Sequence, residues 1–226
     1  MQIIKNKTLQ VGTITAGVGL LFSLMASPAT AAPLDASSVF DAIEVSSEVA
    51  NVENAVVAQA VAKMVFDSAN PESAFLALEE DDKALFKAFV ATEKVTSTGG
   101  LSARAAAALP DGCHTVPGGR QAYNAFGGQL WAMTHQHQAC VSGGTITSAT
   151  FTGRSAEATW AGWRHVEHGD QSTGVIAGQS RQYVQETFAL GAGGWDIETV
   201  NPCSRSAMDG SGNIIPSTAC NITLGS

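Results

Sequence analysis

Apolar positions recur along this chain with two different periods, and the change falls near residue 97. In the first part, Val45, Val49, Val52, Val56, Ala60 and Met64 are spaced by three and four, which places them on one helical face. Glu44, Glu48, Glu53 and Lys63 occupy the opposite face. The pattern predicts a helix over 35–66, with Asp35 or Ser37 as its cap. Its many valines are stiff at χ1 and lower the intrinsic propensity, so the helix needs a packing partner. A second helix starts at Asn70, where an N-cap side chain is followed by Pro71 and Glu72. Phe75, Leu78, Leu85, Phe86 and Phe89 form its apolar face, and the acidic run 79–82 is its solvated one. The short break at 67–70 makes the pair a helical hairpin over 32–95. Two helices bury little core alone. They must pack on the rest of the chain, on a partner, or on a second copy by self-association.

From Cys113 onward the period is two. Trp131, Met133, His135 and His137 alternate with Leu130, Ala132, Thr134 and Gln136. Further strands are expected over 145–152, 158–167, 181–190 and 195–199 and around Ile222, with glycine turns at 141–144, 169–174 and 191–194. Residues 96–112, rich in Ser, Thr, Gly and Ala, read as a protease-sensitive linker, with Arg104 its preferred tryptic site. The expected fold class is therefore α+β: an N-terminal helical hairpin followed by an antiparallel β-sandwich or barrel over 113–226.

Composition sharpens the division. No glycine lies between Gly19 and Gly99, no Cys, Trp, Tyr or His precedes Cys113, and no lysine follows Lys94. Residues 32–95 carry twelve acids and four lysines, and residues 96–226 eight acids and six arginines. Neither part has the basic balance that a nucleic-acid partner requires.

Residues 1–31 read as an export signal. Lys5 and Lys7 precede an uncharged apolar stretch over 11–26, and Ala29-Thr30-Ala31 has small residues where a signal peptidase cuts. Cleavage is expected after Ala31, so that the mature chain begins at Ala32 and is secreted or held at the cell envelope. A membrane anchor is disfavoured because the stretch is short for a span. Four cysteines in an exported chain imply two disulfides. Neighbours in sequence are expected to pair, Cys113 with Cys140 and Cys203 with Cys220, with a Cys113–Cys220 link as the rival. No Cys-x-x-Cys pair suggests structural zinc.

The run Ala125-Phe126-Gly127-Gly128-Gln129-Leu130-Trp131, then Cys140, then Gly143-Gly144-Thr145-Ile146-Thr147 resembles small secreted disulfide-bonded β-sandwich proteins of Gram-positive bacteria. The likeness covers roughly residues 113–200, and Ala139 stands where that group has an aromatic residue. It implies a fold and no activity.

Candidate chemistry is sparse. His135 and His137 share one strand face about 7 Å apart, a spacing that can chelate a metal if His165, Glu167 and His168 lie alongside. The bland reading, two polar residues on a strand, is preferred, and neither metal nor cofactor is expected. Gly169-Asp170-Gln171-Ser172-Thr173-Gly174 lacks the glycine that should follow a nucleophilic serine, and no Gly-x-Ser-x-Gly is present. No catalytic residue is therefore assigned. Asp209, Ser211 and Asn213 have the spacing of a calcium loop's start without its glycine or distal glutamate. An exposed Trp160 or Trp163, beside Arg164 or Tyr183, would suit a carbohydrate or protein surface. The expected function is a non-enzymatic binding protein of the cell exterior. The alternative is a secreted enzyme with residues 32–104 as an inhibitory propeptide, and a membrane-inserting toxin is a third reading.

Overall fold

A computed structural model describes residues 35–99, 109–160 and 162–223. The export signal, the Ala32 terminus and Arg104 lie outside these residues. Among the described residues four helices come first: α1 (Ala36–Ala42), α2 (Val52–Phe66), α3 (Pro71–Leu76) and α4 (Glu80–Val90). Nine strands follow: β1 (Lys94–Thr98), β2 (Gly112–Tyr123), β3 (Gln129–Ser142), β4 (Thr145–Ala158), β5 (Trp163–Ile176), β6 (Gln179–Ala192), β7 (Trp195–Val200), β8 (Cys203–Met208) and β9 (Ile214–Ser217). The protein is α+β with a β-rich domain. No helix among the described residues is long and apolar enough to cross a membrane.

Each expected helix is divided in two. The chain leaves α1 in an extended conformation at Ile43, and Asn51 restarts it by accepting the Asn54 amide on its side chain. Asn70 caps α3 and Pro71 opens it, as the sequence predicts. Glu80, Asp81 and Asp82 then fill the first turn of α4, where the helix dipole favours negative charge. The apolar stripe of α2 is also rotated from its expected phase. Val56 and Met64 are exposed, at 74% and 55%, whereas Ala58, Val61, Ala62 and Val65 face α4 and the core. Apolar residues nearly encircle α2, so its own pattern did not select a face.

The strands form two open antiparallel sheets, one in the order β1-β2-β3-β4 and one in the order β5-β6-β8-β9. β7 and β8 pair with different halves of one edge of the long β6. Neither sheet closes on itself, which removes the barrel alternative. The turns at Gly143-Gly144 and Gly193-Gly194 fall as expected. The segment 169–174 does not turn; it lies within β5, and the reversal comes at Ala177-Gly178, both with positive φ. A turn also separates Trp160 from Trp163, so the two tryptophans are not on one strand. β1 uses Lys94–Thr98, partly in the expected linker, to pair with Gly119–Tyr123 of β2.

Helices and strands fall within one compact unit, Leu34–Ser226. The helices cover the sandwich end that carries the β2–β3, β4–β5 and β6–β7 connections. Phe75 packs on Trp195, Phe89 stands edge-on to Trp160, and Asn124 donates to the Phe89 carbonyl. One apolar cluster joins Phe40, Phe75 and Phe86 of the helices to Trp131, Phe188 and Leu190 of the sheets. A smaller cluster of Val116, Ala139, Val141, Ile146 and Met208 fills the opposite end. The disulfides are Cys113–Cys140, which joins directly paired residues of β2 and β3, and Cys203–Cys220, which fastens the C-terminal tail to β8.

Candidate functional site

Between the two apolar clusters the interior of the sandwich is polar. Residues pointing inward from β3 read Trp131, Met133, His135, His137, Ala139 and Val141, so the imidazoles occupy the middle of a hydrophobic row. His135 Nε2 lies 3.0 Å from Ser204 Oγ and His137 Nε2 lies 3.0 Å from Ser180 Oγ, each bond linking the two sheets. Both rings are fully buried beside Gln182. Burial disfavours their charged forms; the effect is larger for His137, where the neighbouring His135 adds to it and brings the value to about 4. Gln182 partly opposes both shifts, although its amide makes no hydrogen bond of ordinary geometry. The serines engage only the Nε2 atoms; His135 Nδ1 and His137 Nδ1 have no hydrogen-bond partner, and among the described residues neither ring belongs to a cluster of three metal donors.

A second polar group opens to the surface. Glu186 of β6 is wholly buried between the inward-facing Val184 and Phe188. Its partner strand β5 carries a bulge between His165 and Glu167. In a regular strand, residues three apart point to opposite faces; the extra residue restores the parity, so that His165 and His168 both meet Glu186. His165 Nε2 and His168 Nδ1 lie 2.8 and 2.6 Å from Glu186 Oε2. An ionised carboxylate only accepts hydrogen bonds, so both facing nitrogens carry protons when Glu186 is charged. Arg154 of β4 places Nε 3.7 Å from Glu186 Oε1, while its Nη1 donates to the Gly169 carbonyl at 3.0 Å. Glu186 Oε1 has no hydrogen-bond partner. Exposure rises across the group: the Glu186 side chain is 0% exposed, that of His165 21% and that of His168 46%. A buried carboxyl group, two imidazoles and an arginine can relay a proton or hold a cation. Among the described residues, His165, His168 and Glu186 bring their donor atoms within 4.8 Å of one another.

The residues expected to bind a ligand do not converge. Trp163 is buried and donates Nε1–H to the Val90 carbonyl at 2.8 Å. Trp160 is half-buried against Phe89, and Arg164 pairs with Asp196. Tyr183 lies opposite Ser172 and Arg205, far along β6 from the Arg164–Ala189 pair. Asp209 accepts the Ser211 and Asn213 amides and so closes the loop before β9. Sequence reasoning included His165 and His168 but missed Glu186 and Arg154. The available signal was parity: Glu186 sits on the apolar face of an alternating strand, where an ionised carboxylate needs partners. Compared with known protein families, curated proteins and solved structures, the chain matches none.

Proposed function

We propose that the protein is an exported, non-enzymatic binding protein, secreted or retained at the cell envelope, whose helical N-terminal part stays in place as part of the working fold. Export rests on Lys5, Lys7 and the Ala29-Thr30-Ala31 pattern, on the two disulfides, and on the resemblance to secreted sandwich proteins. The observation that favours a permanent helical part over a propeptide is the shared core. Removing residues 32–104 would take away β1, all four helices, and the groups against Trp195, Trp160 and Trp163. The ligand is a protein or carbohydrate surface of the cell exterior.

Sequencing and intact-mass analysis of the protein from culture medium test the reading. A chain that begins at Ala32 and runs through Arg104 supports it. A chain that begins beyond Arg104, with hydrolytic activity absent from the precursor, supports the zymogen instead. The zymogen reading draws on the His165–Glu186–His168 group, because an imidazole held by a buried carboxylate can serve as a general base.

A further inference from the structure

We propose that His165, His168 and Glu186 bind one divalent transition-metal ion of the zinc–copper class, with a coordination position left open toward solvent. This reverses the expectation of a metal-free protein and relocates the site from His135 and His137. It does not depend on whether the helical part is retained.

Three features carry the assignment. The donor set is two imidazole nitrogens and one carboxylate, a combination that suits zinc, copper and nickel and disfavours calcium and magnesium, which take oxygen. The donors sit on adjacent strands of one sheet, already within 4.8 Å of one another, so little ordering remains to be done on binding. Glu186 is wholly buried, and its Oε1 accepts no hydrogen bond although the guanidinium of Arg154 lies nearby. Such a carboxylate lacks the full set of donors that burial demands. Both imidazoles face Oε2, so a cation held by both carboxylate oxygens would supply the interaction that Oε1 lacks.

The exchange balances. In the metal-free arrangement each neutral imidazole presents its one proton to Glu186. On binding, His165 carries its proton on Nδ1 and His168 on Nε2, which frees the facing lone pairs for the ion. A ring that is protonated beforehand releases one proton to water on binding. The half-exposed side chain of His168 marks the entry path and the open position. Arg154 opposes the ion by charge, and its Nη1 is tethered to the Gly169 carbonyl.

The disulfide-intact mature chain, dialysed against chelator, would be titrated with zinc and with copper(II) at pH 7.5 by calorimetry and by competition with a chromophoric chelator. One ion per chain is expected. His168→Ala should weaken binding by at least ~10-fold, since loss of a group that merely orients a ligand already costs that much. Arg154→Gln should tighten it, and His114→Ala, which alters a ring bonded to the Pro110 carbonyl, should change nothing. Circular dichroism establishes that each variant is folded. Absence of saturable one-to-one uptake by the wild-type chain overturns the proposal by itself, whatever the variants do. Uptake that a folded His168→Ala protein retains undiminished, or that Arg154→Gln weakens, overturns it as well.

Discussion

His137 Nε2 and Ser180 Oγ meet 3.0 Å apart in the interior of the sandwich, one contributed by each sheet. The bond belongs to a polar band, with His135, Gln182, Ser204 and Ser206, that separates two apolar clusters. Burial holds the His137 imidazole at about 4 against an ordinary 6.5, with the neighbouring His135 contributing. A histidine with a depressed folded value binds protons first in the unfolded chain, so stability falls as pH drops from about 6.5 toward 4. The loss from His137 alone should be about 3 kcal/mol, and His135 shifts in the same direction. Urea unfolding between pH 7.5 and 4 measures the slope. His137→Gln should flatten it, and an unchanged slope would show that other groups set the acid response.

Gly118 faces the same band. A Cβ there would land on the His135 ring and within 3.0 Å of the Ser206 Cβ. Gly118→Ala should therefore push His135 away from Ser204 and cost about 1–3 kcal/mol, the usual range for overpacking a core. Gly153, beside a register shift in β4, has no left-handed φ and nothing within 4 Å of a Cβ. Gly153→Ala should be neutral or stabilise by up to ~1 kcal/mol. Thermal unfolding of the two variants provides the comparison.

Trp163 ties the sheet to the helices through its bond to the Val90 carbonyl. Trp163→Phe keeps most of the ring but removes the donor, and should cost about 1–3 kcal/mol if the carbonyl is left without a partner. A wild-type midpoint in denaturant would show that water replaces the indole there.

Cleavage at Arg104 should not release a free β domain. The helices bury Phe75 against Trp195 and Phe89 against Trp160, and β1 pairs along β2. Nicked protein should elute from gel filtration as a single particle and separate only in denaturant. A fragment over 113–226 expressed alone should aggregate, because the apolar end of its sheets is uncovered. Monomeric, cooperatively folding fragment would mean that the helices are dispensable to the sandwich.

The C-terminal tail is held by one bridge and by two arginines. Arg181 donates to the Thr223 carbonyl at 2.8 Å, and Arg205 reaches the Asn221 and Thr223 carbonyls. Replacing Cys203 and Cys220 by serine opens a loop worth about 3 kcal/mol in the chain-entropy account. The expected result is rapid amide exchange over 218–223, with protection of β3 and β6 retained. Loss of protection throughout β6 would make the bridge a requirement of the whole sheet.

Much of the local structure was legible in the residues. Alternation located β3, β4, β6 and β7, glycine pairs located two hairpin turns, and Asn70-Pro71 located the start of α3, because strand parity, positive φ and helix capping act over a few residues. Nearest-neighbour cysteines paired as expected, Cys113 and Cys140 because they lie directly opposite on consecutive strands of one sheet. The tertiary structure decided what depends on distant partners. Which side of α2 is buried was settled by α4, because apolar residues surround α2. That His135 and His137 bond across the interior to Ser204 and Ser180 was decided by residues 69 and 43 positions away. A one-residue bulge in β5 decided that His165 and His168 meet Glu186, because a bulge resets the side-chain parity that a sequence pattern assumes to be constant.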